Sequence, residues 1–506
     1  MKKNSSIVKR LLRFTAVLFM FILCLCSNKV FASTQLIQND TFWKDTSGMP
    51  IYSQGGGILK VGDTYYWYGV KYNGAVTYAA SPTKKNSDSS FNAVTCYSSK
   101  DLVNWKFENN ILTAEQLSGN LASNWVGRLG VAYNSNTKKY VLISQYSGTA
   151  GEGELFATCD TPNGKFTFNN IQYPVPGVTN STTGDQTIFV DTDGKAYLIC
   201  SSSKGRGNLY VAPLRESDYL AVETATRIFG GVGREGNCMF KYNGEYYFCS
   251  SDLHGWNASH CYYIKASNIM GPYSSEAVMS GTDNDFCHVS QTGFFVNATG
   301  TSGTTVLFCG DRWSDFAGNG IGYNEWCPLS FDGTTPYCNS VSEFNLDAAA
   351  GTWSVGAGNN YVLNPSFEAD RITTTTPAGW SVWTNLTNVS PSSNASGAYL
   401  GNFCMQQSYA TAYKSSIYQD ITGLTNGIYT LKAWVKSSGG QNTCQVFAKN
   451  FGAAEKDYSI NISISGWTQI SISDINVTNG KCQVGLYSDA NANNWCKLDN
   501  VSLVKN

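Results

Sequence analysis

The sequence is poor in charge: Asp, Glu, Lys and Arg make up 14% of its 506 residues, and the net charge is −1. A chain without excess positive charge has no electrostatic reason to bind nucleic acid or an anionic membrane. Long amphipathic helical periods are absent, which argues against a helical protein. Paired CxxC motifs and Cys/His spacings of the zinc-binding type are also absent. Short β-rich runs between Gly, Asn and Asp turns indicate an all-β chain instead.

The N-terminus has the pattern of an export signal. Residues 1–13 carry five Lys or Arg and no acid, an apolar run follows to Cys26, and Ala32 ends a Val-Phe-Ala triplet. This pattern predicts a signal peptide over residues 1–32 and a secreted, extracellular protein. An uncleaved membrane anchor is the alternative, but the apolar run is short for a membrane span. Cleavage would leave 29 basic and 36 acidic side chains, so we expect neither a nucleic-acid partner nor a membrane anchor in the mature form.

Fourteen of the sixteen cysteines follow the predicted signal peptide, ten between Cys96 and Cys338 and four from Cys404 to Cys496. Both numbers are even, as disulfides in an oxidising compartment require. Several of these cysteines, such as Cys200, stand inside apolar strand runs. Buried free thiols that act as small hydrophobic side chains are equally consistent with that position.

One hairpin pattern recurs five times within residues 54–335. In each copy an apolar strand leads through a tight turn into an aromatic-rich strand, and pairs such as Asp193-Gly194 and Asn243-Gly244 supply the positive φ of a two-residue turn. The second strands of the five copies contain Tyr65–Tyr68, Tyr140–Ile143, Ala196–Cys200, Tyr246–Cys249 and Thr305–Phe308. Copies spaced by roughly 50 residues predict a five-bladed β-propeller. A single large sandwich is the alternative, but it would not need the same hairpin five times.

A different pattern begins after Trp353. A stretch rich in Gly, Ala and Asn, Ser354–Asn360, leads to alternating strands such as Ile417–Ile421. We therefore predict an all-β chain with two domains, a five-bladed β-propeller over residues 33–353 and a β-sandwich of the jelly-roll type over residues 360–506. A flexible Pro/Ser linker is absent, so we expect the two domains to pack closely.

Polar residues stand just before each predicted inner strand of the repeat. They are Gln54, Arg128, Asp185, Glu235 and Gln291. Inner strands of a propeller converge on one channel, so these residues should cluster at its mouth. A protonated carboxyl group and a second group opposite it suit glycosidic hydrolysis. Burial beside Asp185 would raise the pKa of Glu235 and keep it protonated; an ordinary ion pair with Arg234 is the alternative.

Over about residues 40–350 the chain resembles glycoside hydrolase family 43, and most closely its exo-β-1,3-galactanase branch. The matching segments are Phe42–Asp45, Gln54–Ile58, Tyr65–Gly69, Gly184-Asp185, Arg234-Glu235, His254–Trp256, Ser290–Thr292 and Gly310–Trp313. The resemblance implies an inverting mechanism on a five-bladed propeller. It makes Glu235 the general acid, Asp185 the carboxylate that orients it and tunes its pKa, and Gln291 the group in the position of the base.

The chain departs from this pattern at several positions. Gln54 stands where most of the family has an Asp base, and Gly127, Ser203 and Val70 stand where the galactanase branch has acids. A neutral amide is a poor proton acceptor, so Gln291 would need an unusual tautomer or a relayed proton. Losing acidic groups also implies changed recognition of substrate hydroxyl groups.

The resemblance predicts a secreted, exo-acting, inverting glycoside hydrolase that acts on plant cell-wall galactan, arabinogalactan or arabinan, with no cofactor required for catalysis. The alternatives are a non-catalytic carbohydrate-binding propeller and a family 43 β-xylosidase, α-L-arabinofuranosidase or galactofuranosidase. The predicted substrate-binding residues are Gln54, Arg128, Trp256 and Trp313, with Trp125 as a further stacking candidate. For each of these tryptophans, the alternative interpretation is a purely structural role.

Three residues are candidate metal ligands. His288 is a candidate for holding a cation in the channel, although a lone His near a strand is more often just hydrogen-bonded. The segments Asn364–Glu368 and Leu498–Val501 resemble those of carbohydrate-binding jelly rolls, which often contain structural calcium, so Glu368 and Asp499 are candidate ligands. The aromatic candidates for the ligand face of this domain are Trp380, Trp383, Tyr409 and Trp495.

Overall fold

The computed structural model describes residues 35–82, 86–313 and 323–506. The predicted signal peptide, residues 1–32, lies outside the described residues. The one helix of more than four residues in this part is α1 (Asn73–Ala80). Strands dominate, as the turn-rich sequence predicts. None of the helices in the described ranges has the length and apolar character that crossing a membrane requires.

The first 23 strands belong to the part of the chain with the hairpin repeat. They are β1 (Gln35–Gln38), β2 (Gln54–Val61), β3 (Thr64–Tyr72), β4 (Phe91–Ser99), β5 (Lys106–Thr113), β6 (Ser123–Asn134), β7 (Lys139–Gly148), β8 (Gly151–Cys159), β9 (Thr167–Gln172), β10 (Thr183–Val190), β11 (Ala196–Ser202), β12 (Asn208–Pro213), β13 (Thr226–Gly230), β14 (Glu235–Tyr242), β15 (Glu245–Ser251), β16 (Cys261–Ala266), β17 (Ala277–Val278), β18 (Gln291–Thr299), β19 (Thr304–Asp311), β20 (Asn324–Asp332), β21 (Thr335–Cys338), β22 (Glu343–Asp347) and β23 (Thr352–Val355).

Five four-stranded antiparallel sheets follow one another between residues 54 and 338, which we call the five-sheet region. Each sheet uses four consecutive strands in chain order, from β2–β5 to β18–β21. The first two strands of every sheet form the predicted hairpin; Phe240, for example, pairs with Tyr247. The first strand of each sheet also contacts the first strand of the next sheet, and β18 contacts β2. The five first strands therefore form a closed ring of contacts.

A three-stranded sheet joins the two ends of this part of the chain. Its strand order is β1-β22-β23, and Gln35 of β1 pairs with Leu346 of β22. Beneath it lies a cluster of tryptophans in which the Trp67 ring is 5.1 Å from both Trp105 and Trp326. Burial of large aromatic rings is a major source of apolar stabilisation. The sheet thus ties the beginning of the described chain to the two strands that follow the five-sheet region.

Residues 360–506, which we call the two-sheet region, contain ten more strands. They are β24 (Ser381–Thr384), β25 (Ser392–Ser396), β26 (Phe403–Ser408), β27 (Tyr413–Thr422), β28 (Gly427–Ser438), β29 (Thr443–Lys449), β30 (Lys456–Ser459), β31 (Ser463–Val477), β32 (Lys481–Ala490) and β33 (Trp495–Lys505).

These ten strands form two five-stranded sheets that share one hydrophobic core. The strand orders are β24-β27-β32-β29-β30 in the first sheet and β25-β26-β33-β28-β31 in the second. Inward side chains such as Ile417 and Val484 of the first sheet pack with Leu431, Val435 and Leu498 of the second. Alternate residues of β27 and β28 are buried, which is the period of two expected for strands covered on one face.

The two regions contact each other directly, as the absence of a flexible linker predicts. Ala369 packs in one apolar cluster with Ala258 and Val289 of the five-sheet region. Arg371 donates a hydrogen bond to the carbonyl of Ala258, and its guanidinium lies 4.7 Å from the ring of Phe286. Phe286 and Val289 are the ends of a turn of four non-glycine residues with φ between 52° and 56°. Such left-handed backbone is costly for residues with a Cβ, so the surrounding contacts must stabilise it.

The fourteen cysteines of the described residues are free thiols, and all but Cys159 are buried. Burial raises the pKa of Cys200, Cys238 and Cys309 well above its usual value. A neutral buried thiol packs as a small apolar side chain. In this structure the cysteines in the strand runs therefore act as core residues.

Candidate active site

Each of the five first strands has a β-bulge beside its predicted polar residue. Gln54, Glu235 and Gln291 begin their strands, Asp185 lies near the start of β10, and Arg128 lies in the middle of β6. A bulge leaves one residue without a partner and turns the neighbouring side chains. At the bulges Gly55 and Gly236 have φ of 59°, and Arg128 has φ of 31°. The bulges therefore bring side chains from different sheets to the same end of the ring of strands.

A cavity of about 380 Å³ lies at this end. Seven predicted site residues line it: Trp125, Arg128, Asp185, Glu235, Trp256, Gln291 and Trp313. Gln54 does not belong to this lining within the described residues. It is buried, and its side-chain nitrogen donates to the carbonyl of Arg312 at 3.1 Å. The equivalent positions in the repeat therefore correctly predicted that four of the five polar residues lie at one cavity.

Glu235 is a nearly buried carboxyl group in the wall of the cavity. Its Oε1 accepts a hydrogen bond of 2.9 Å from Nε2 of Gln291. Burial and the negative charge of Asp185 raise the pKa of Glu235 to about 7, although the cations of Arg206 and Arg128 oppose the rise. A carboxyl group with this pKa carries a proton for much of the time near neutral pH, as a general acid must.

Asp185 is held by two arginines. Its Oδ1 accepts from Arg206 at 2.9 Å, and its Oδ2 accepts from Nε of Arg128 at 2.9 Å and from the backbone N–H of Gly236 at 3.0 Å. Burial alone would raise the pKa of Asp185, but the two guanidinium groups lower it below its usual value. The neighbouring carboxyl groups thus have pKa values pushed in opposite directions, the pattern of an acid beside a permanent carboxylate.

The amide of Gln291 makes four hydrogen bonds. Its oxygen accepts from Arg128 and from Nε1 of Trp313, each at 2.9 Å, and its nitrogen donates to Glu235 and to the carbonyl of Gly255 at 3.3 Å. Both lone pairs of the oxygen face donors, so this orientation of the amide is the one that satisfies every partner. Acting as a base would require an unusual tautomer of the Gln291 amide. In that imidic tautomer the hydroxyl group would face the same two donors, Arg128 and Trp313. The direct effect of Gln291 in this arrangement is to hold Glu235.

Two charged residues at the site were not singled out from the sequence. Arg206 follows β11 in a tight turn, has φ of 47°, and places its Nε 3.5 Å from Oε2 of Glu235. The Gly205-Arg206-Gly207 triplet, just after Ser203, was the signal that could have found it. Asp311 is fully buried, accepts from the N–H of Gly55 at 3.0 Å and lies 3.6 Å from Arg128. Burial raises the pKa of Asp311 to about 6, and Arg128 opposes that rise.

Three tryptophans form one wall of the cavity. The rings of Trp256 and Trp313 are 4.7 Å apart at 75°, and those of Trp125 and Trp256 are 5.6 Å apart at 53°. Trp313 is almost entirely buried and also bonds Gln291, whereas Trp125 and Trp256 are partly exposed. The wall therefore offers two ring surfaces to a ligand and one ring that supports them.

His288 lies in an ion-pair network outside the cavity lining. Its ring nitrogens are 2.8 Å from Oγ of Ser340 and 3.0 Å from Oδ2 of Asp40. Burial would lower the pKa of His288, but the Asp40 carboxylate raises it to about 10. Ligand-type atoms of His288, Asp40 and Glu325 lie within 4.8 Å of one another.

The guanidinium of Arg312 fills the space between these groups, however, 2.9 Å from Asp40 and 2.8 Å from Glu325. It supplies the positive charge that a cation would bring, and a metal ion there would be repelled by it. The residues of this network therefore do not fit a metal ion.

The candidate calcium ligands of the two-sheet region bind backbone. Oε1 of Glu368 accepts from the N–H groups of Asn402 and Phe403 at 2.7 and 2.6 Å. Oδ2 of Asp499 accepts from Tyr399 and Leu400 at 2.7 and 3.1 Å. Calcium ligation by these two carboxyl groups stays a prediction. Of the four aromatic candidates in this region, Trp380 is buried, Trp383 is 48% exposed, and Tyr409 and Trp495 are half-buried.

Comparison with known proteins gives one family for the part that contains the cavity. The model of glycosyl hydrolases family 43 matches residues 55–312. Among curated proteins, a 1,6-α-glucosyltransferase from Sporosarcina globispora is 33% identical over 158 residues, which are 29% of this chain and 12% of that protein. The chain thus spans about an eighth of the length of this relative.

Solved structures resemble the chain over a larger part of its length. An exo-β-1,3-galactanase from Phanerochaete chrysosporium, in complex with β-1,3-galactotriose, is 24% identical with a TM-score of 0.55, over 93% of this chain and 100% of that one. An exo-β-1,3-galactanase from Clostridium thermocellum is 23% identical over the same shares, with a TM-score of 0.56. A family 43 β-1,3-galactosidase with galactodeoxynojirimycin is 25% identical with a TM-score of 0.51, over 60% of this chain and 98% of that one. At these identities the two galactanases show a common fold.

Proposed function

Because the chain belongs to glycosyl hydrolases family 43 and is a glycosidase that acts on O-glycosyl compounds, we propose that it is a secreted, exo-acting, inverting enzyme. Its proposed substrates are galactan, arabinogalactan or arabinan of plant cell walls. One observation carries the proposal: Glu235, with its pKa raised to about 7, stands beside the ionised Asp185 in a cavity walled by tryptophan. The solved galactanases and galactosidase support galactose as the sugar.

The proposal includes the finer architecture. The five sheets are proposed to be the blades of a five-bladed propeller, and the ring of contacts between their first strands supports this arrangement. The two-sheet region is proposed to be a jelly-roll module that binds carbohydrate. A second attachment to the polymer would raise the local concentration of substrate at the cavity. The export signal proposed for residues 1–32 would bring both parts to polysaccharide outside the cell.

In the proposed mechanism Glu235 donates its proton to the oxygen that leaves as the glycosidic bond breaks. Water adds to the anomeric carbon from the opposite face and inverts it. The proton that this water loses passes to solvent, and Glu235 is reprotonated from solvent. Asp185 stays ionised throughout and keeps the pKa of Glu235 high. Gln291, which the family resemblance places at the position of the base, holds the Glu235 carboxyl group in line.

The test is a panel of galactose- and pentose-containing glycans, with proton NMR of the first product to report sugar, linkage and stereochemistry. The Glu235→Gln variant should lose several orders of magnitude in turnover of a substrate with a poor leaving group, because the proton donor is gone. Glu223→Gln, at an exposed position of the same region, is the matched control and should keep full activity. An unchanged rate for Glu235→Gln would eliminate Glu235 as the acid.

A second candidate function is a non-catalytic carbohydrate-binding propeller. The saturated hydrogen bonding of the Gln291 amide favours it, because that amide has no free lone pair to accept a proton from water. Purified protein that binds these glycans but releases no sugar from any of them would decide for this function.

A further inference from the structure

The outward face of the second five-stranded sheet of the two-sheet region carries rings and lysines where ordinary polar residues are expected. Leu431 and Val435 of β28 are buried in the shared core, so the alternate positions Lys432, Trp434 and Lys436 point outward. Outward positions of a half-buried sheet are normally polar, and their charges are paired by sign across strands. This face departs from both expectations.

Three aromatic rings form a corner on this face. Tyr399 lies flat on Trp434, with ring centroids 3.7 Å apart and planes at 13°. Trp467 stands 6.4 Å from Tyr399 at 65°. Tyr399 remains 43% exposed, so one of its faces is open to solvent beside the Trp467 ring. The apolar C–H face of a sugar ring fits against such a surface.

The loop that carries Tyr399 is held rigidly from below. The buried carboxyl groups of Asp499 and Glu368 accept four backbone N–H bonds from residues 399–403. Hydrogen bonds from backbone to buried carboxyl groups are strong and have a defined direction. The exposed ring is thus fixed before any ligand arrives, which reduces the entropy cost of binding.

Two lysines lie directly opposite each other beside the corner. Lys436 of β28 pairs in register with Lys497 of β33, and Nζ of Lys436 lies 5.7 Å from the Trp467 ring. Nζ of Lys497 donates to the carbonyl of Ser396 at 3.0 Å. In the described part of the chain the ion pairs formed by lysines involve other residues. Like charges in register on a sheet are destabilising. The two side chains extend away from each other, toward Trp467 on β31 and Ser396 on β25, and their positive charge along the face would attract an anion.

We propose that this aromatic–lysine face, formed by Tyr399, Trp434, Trp467, Lys436 and Lys497, binds a polysaccharide whose sugars carry carboxylate groups. A sugar ring stacks in the aromatic corner, and its carboxylate pairs with the ammonium group of Lys436 beside Trp467, while Lys497 adds positive charge to the same face. The inference rests on the proposed role of the two-sheet region as a carbohydrate-binding module. It adds an acidic polymer to the galactose- and arabinose-based substrates proposed for the cavity, so the two parts of the chain would bind different components of one cell wall.

The test measures retention of the full chain in affinity gels containing polygalacturonate or neutral β-1,3-galactan. Every protein in this test also carries Glu235→Gln, which prevents hydrolysis of the polysaccharide in the gel. We expect retention by polygalacturonate that weakens as salt is added. Tyr399→Ala should weaken it about tenfold, the loss of one ring contact, and Lys436→Gln about fivefold, the loss of one exposed charge pair. Tyr458→Ala and Lys449→Gln, at positions on the first sheet of the two-sheet region, are the matched controls and should keep full retention.

Thermal unfolding of the same variants separates binding from structure. Lys436→Gln removes a positive charge on a face where Lys497 stands in register with it, so it should unfold at the same temperature as the parent or at a higher one while binding less. A lower unfolding temperature with unchanged retention would overturn the proposal. Retention by polygalacturonate that neither Tyr399→Ala nor Lys436→Gln weakens, or stronger binding of single-stranded oligothymidylate, would also overturn it. Absence of hydrolysis by the wild-type chain would refute the proposed function and leave the retention result unaffected.

Discussion

Removing the positive charge of Arg206 is expected to shift the whole pH–rate profile of the enzyme to higher pH. The Nε of Arg206 lies 3.5 Å from Oε2 of Glu235, and its NH1 lies 2.9 Å from Oδ1 of Asp185. A positive charge favours the ionised form of each carboxyl group. Arg206→Gln therefore raises the pKa of both groups.

The size of the shift follows from the distance. Two unit charges 3.5 Å apart interact by about 1.2 kcal/mol at the dielectric constant of water and by about 5 kcal/mol at an effective value of 20. The Arg206 side chain is 29% exposed, so we take a value near the lower limit, which is about one pKa unit. The pKa of Glu235 should rise from about 7 by about that amount.

The two limbs of the profile then move for separate reasons. Glu235 acts in its protonated form, so activity is present below its pKa and is lost as the pH rises through it. A higher pKa therefore shifts the alkaline limb to higher pH. Asp185 acts in its ionised form, so activity is lost as the pH falls through its pKa. A higher pKa of Asp185 therefore shifts the acid limb to higher pH as well.

The assay is kcat/KM against pH, measured on the best substrate of the glycan panel. Arg215→Gln, which removes an exposed arginine paired with Asp218, is the control and should leave the profile in place. Near-ultraviolet circular dichroism would show that Arg206→Gln keeps its tertiary structure. An alkaline limb that stays fixed or moves to lower pH would refute the electrostatic account of Glu235.

Three further predictions concern the support of the site. Trp313→Phe removes the N–H donor to Gln291 and keeps an aromatic ring, so kcat should fall about tenfold with little change in the unfolding temperature; equal kcat would show that Gln291 needs no such support. Gly56→Ala would place a Cβ 1.8 Å from the carbonyl oxygen of Tyr68. It should lower the free energy of unfolding, measured in urea, by about 3 kcal/mol or more. The control is Gly466→Ala, whose Cβ meets nothing within 4 Å and which should leave the stability unchanged. Arg371→Met removes the hydrogen bond to Ala258 and should lower kcat on a short substrate about threefold, with KM unchanged; an equal kcat would mean that the two regions act independently.

The sequence predicted the hairpins and the neighbouring acids for a physical reason. Turn pairs such as Asn243-Gly244 specify two-residue hairpins locally, and five copies with one phase placed Asp185 and Glu235 at equivalent strand starts. The structure confirms the hairpins and brings both acids into one cavity. The assignment of a catalytic role to each of them stays a prediction.

Gln54 shows where this reasoning stops. It has the same phase as Gln291, yet its amide bonds the Arg312 carbonyl and Gln291 lines the cavity. Each of the five first strands has a bulge beside its polar residue, and the position within the repeat does not tell which way the side chain at a bulge turns. Arg206 was missed because it reaches the site from a loop, and the pairing of Lys436 with Lys497 was missed because register between distant strands is not visible in the sequence.

The left-handed turn from Phe286 to Val289 has a consequence for the independence of the two regions. The turn ends one residue before Ser290-Gln291, and Phe286 lies under the guanidinium of Arg371. The strained backbone that delivers a cavity residue is thus held by a residue of the two-sheet region. The two-sheet region is therefore not an interchangeable accessory: exchanging it for an unrelated domain would remove part of the scaffold of the cavity, so the two regions are constrained to evolve as a pair.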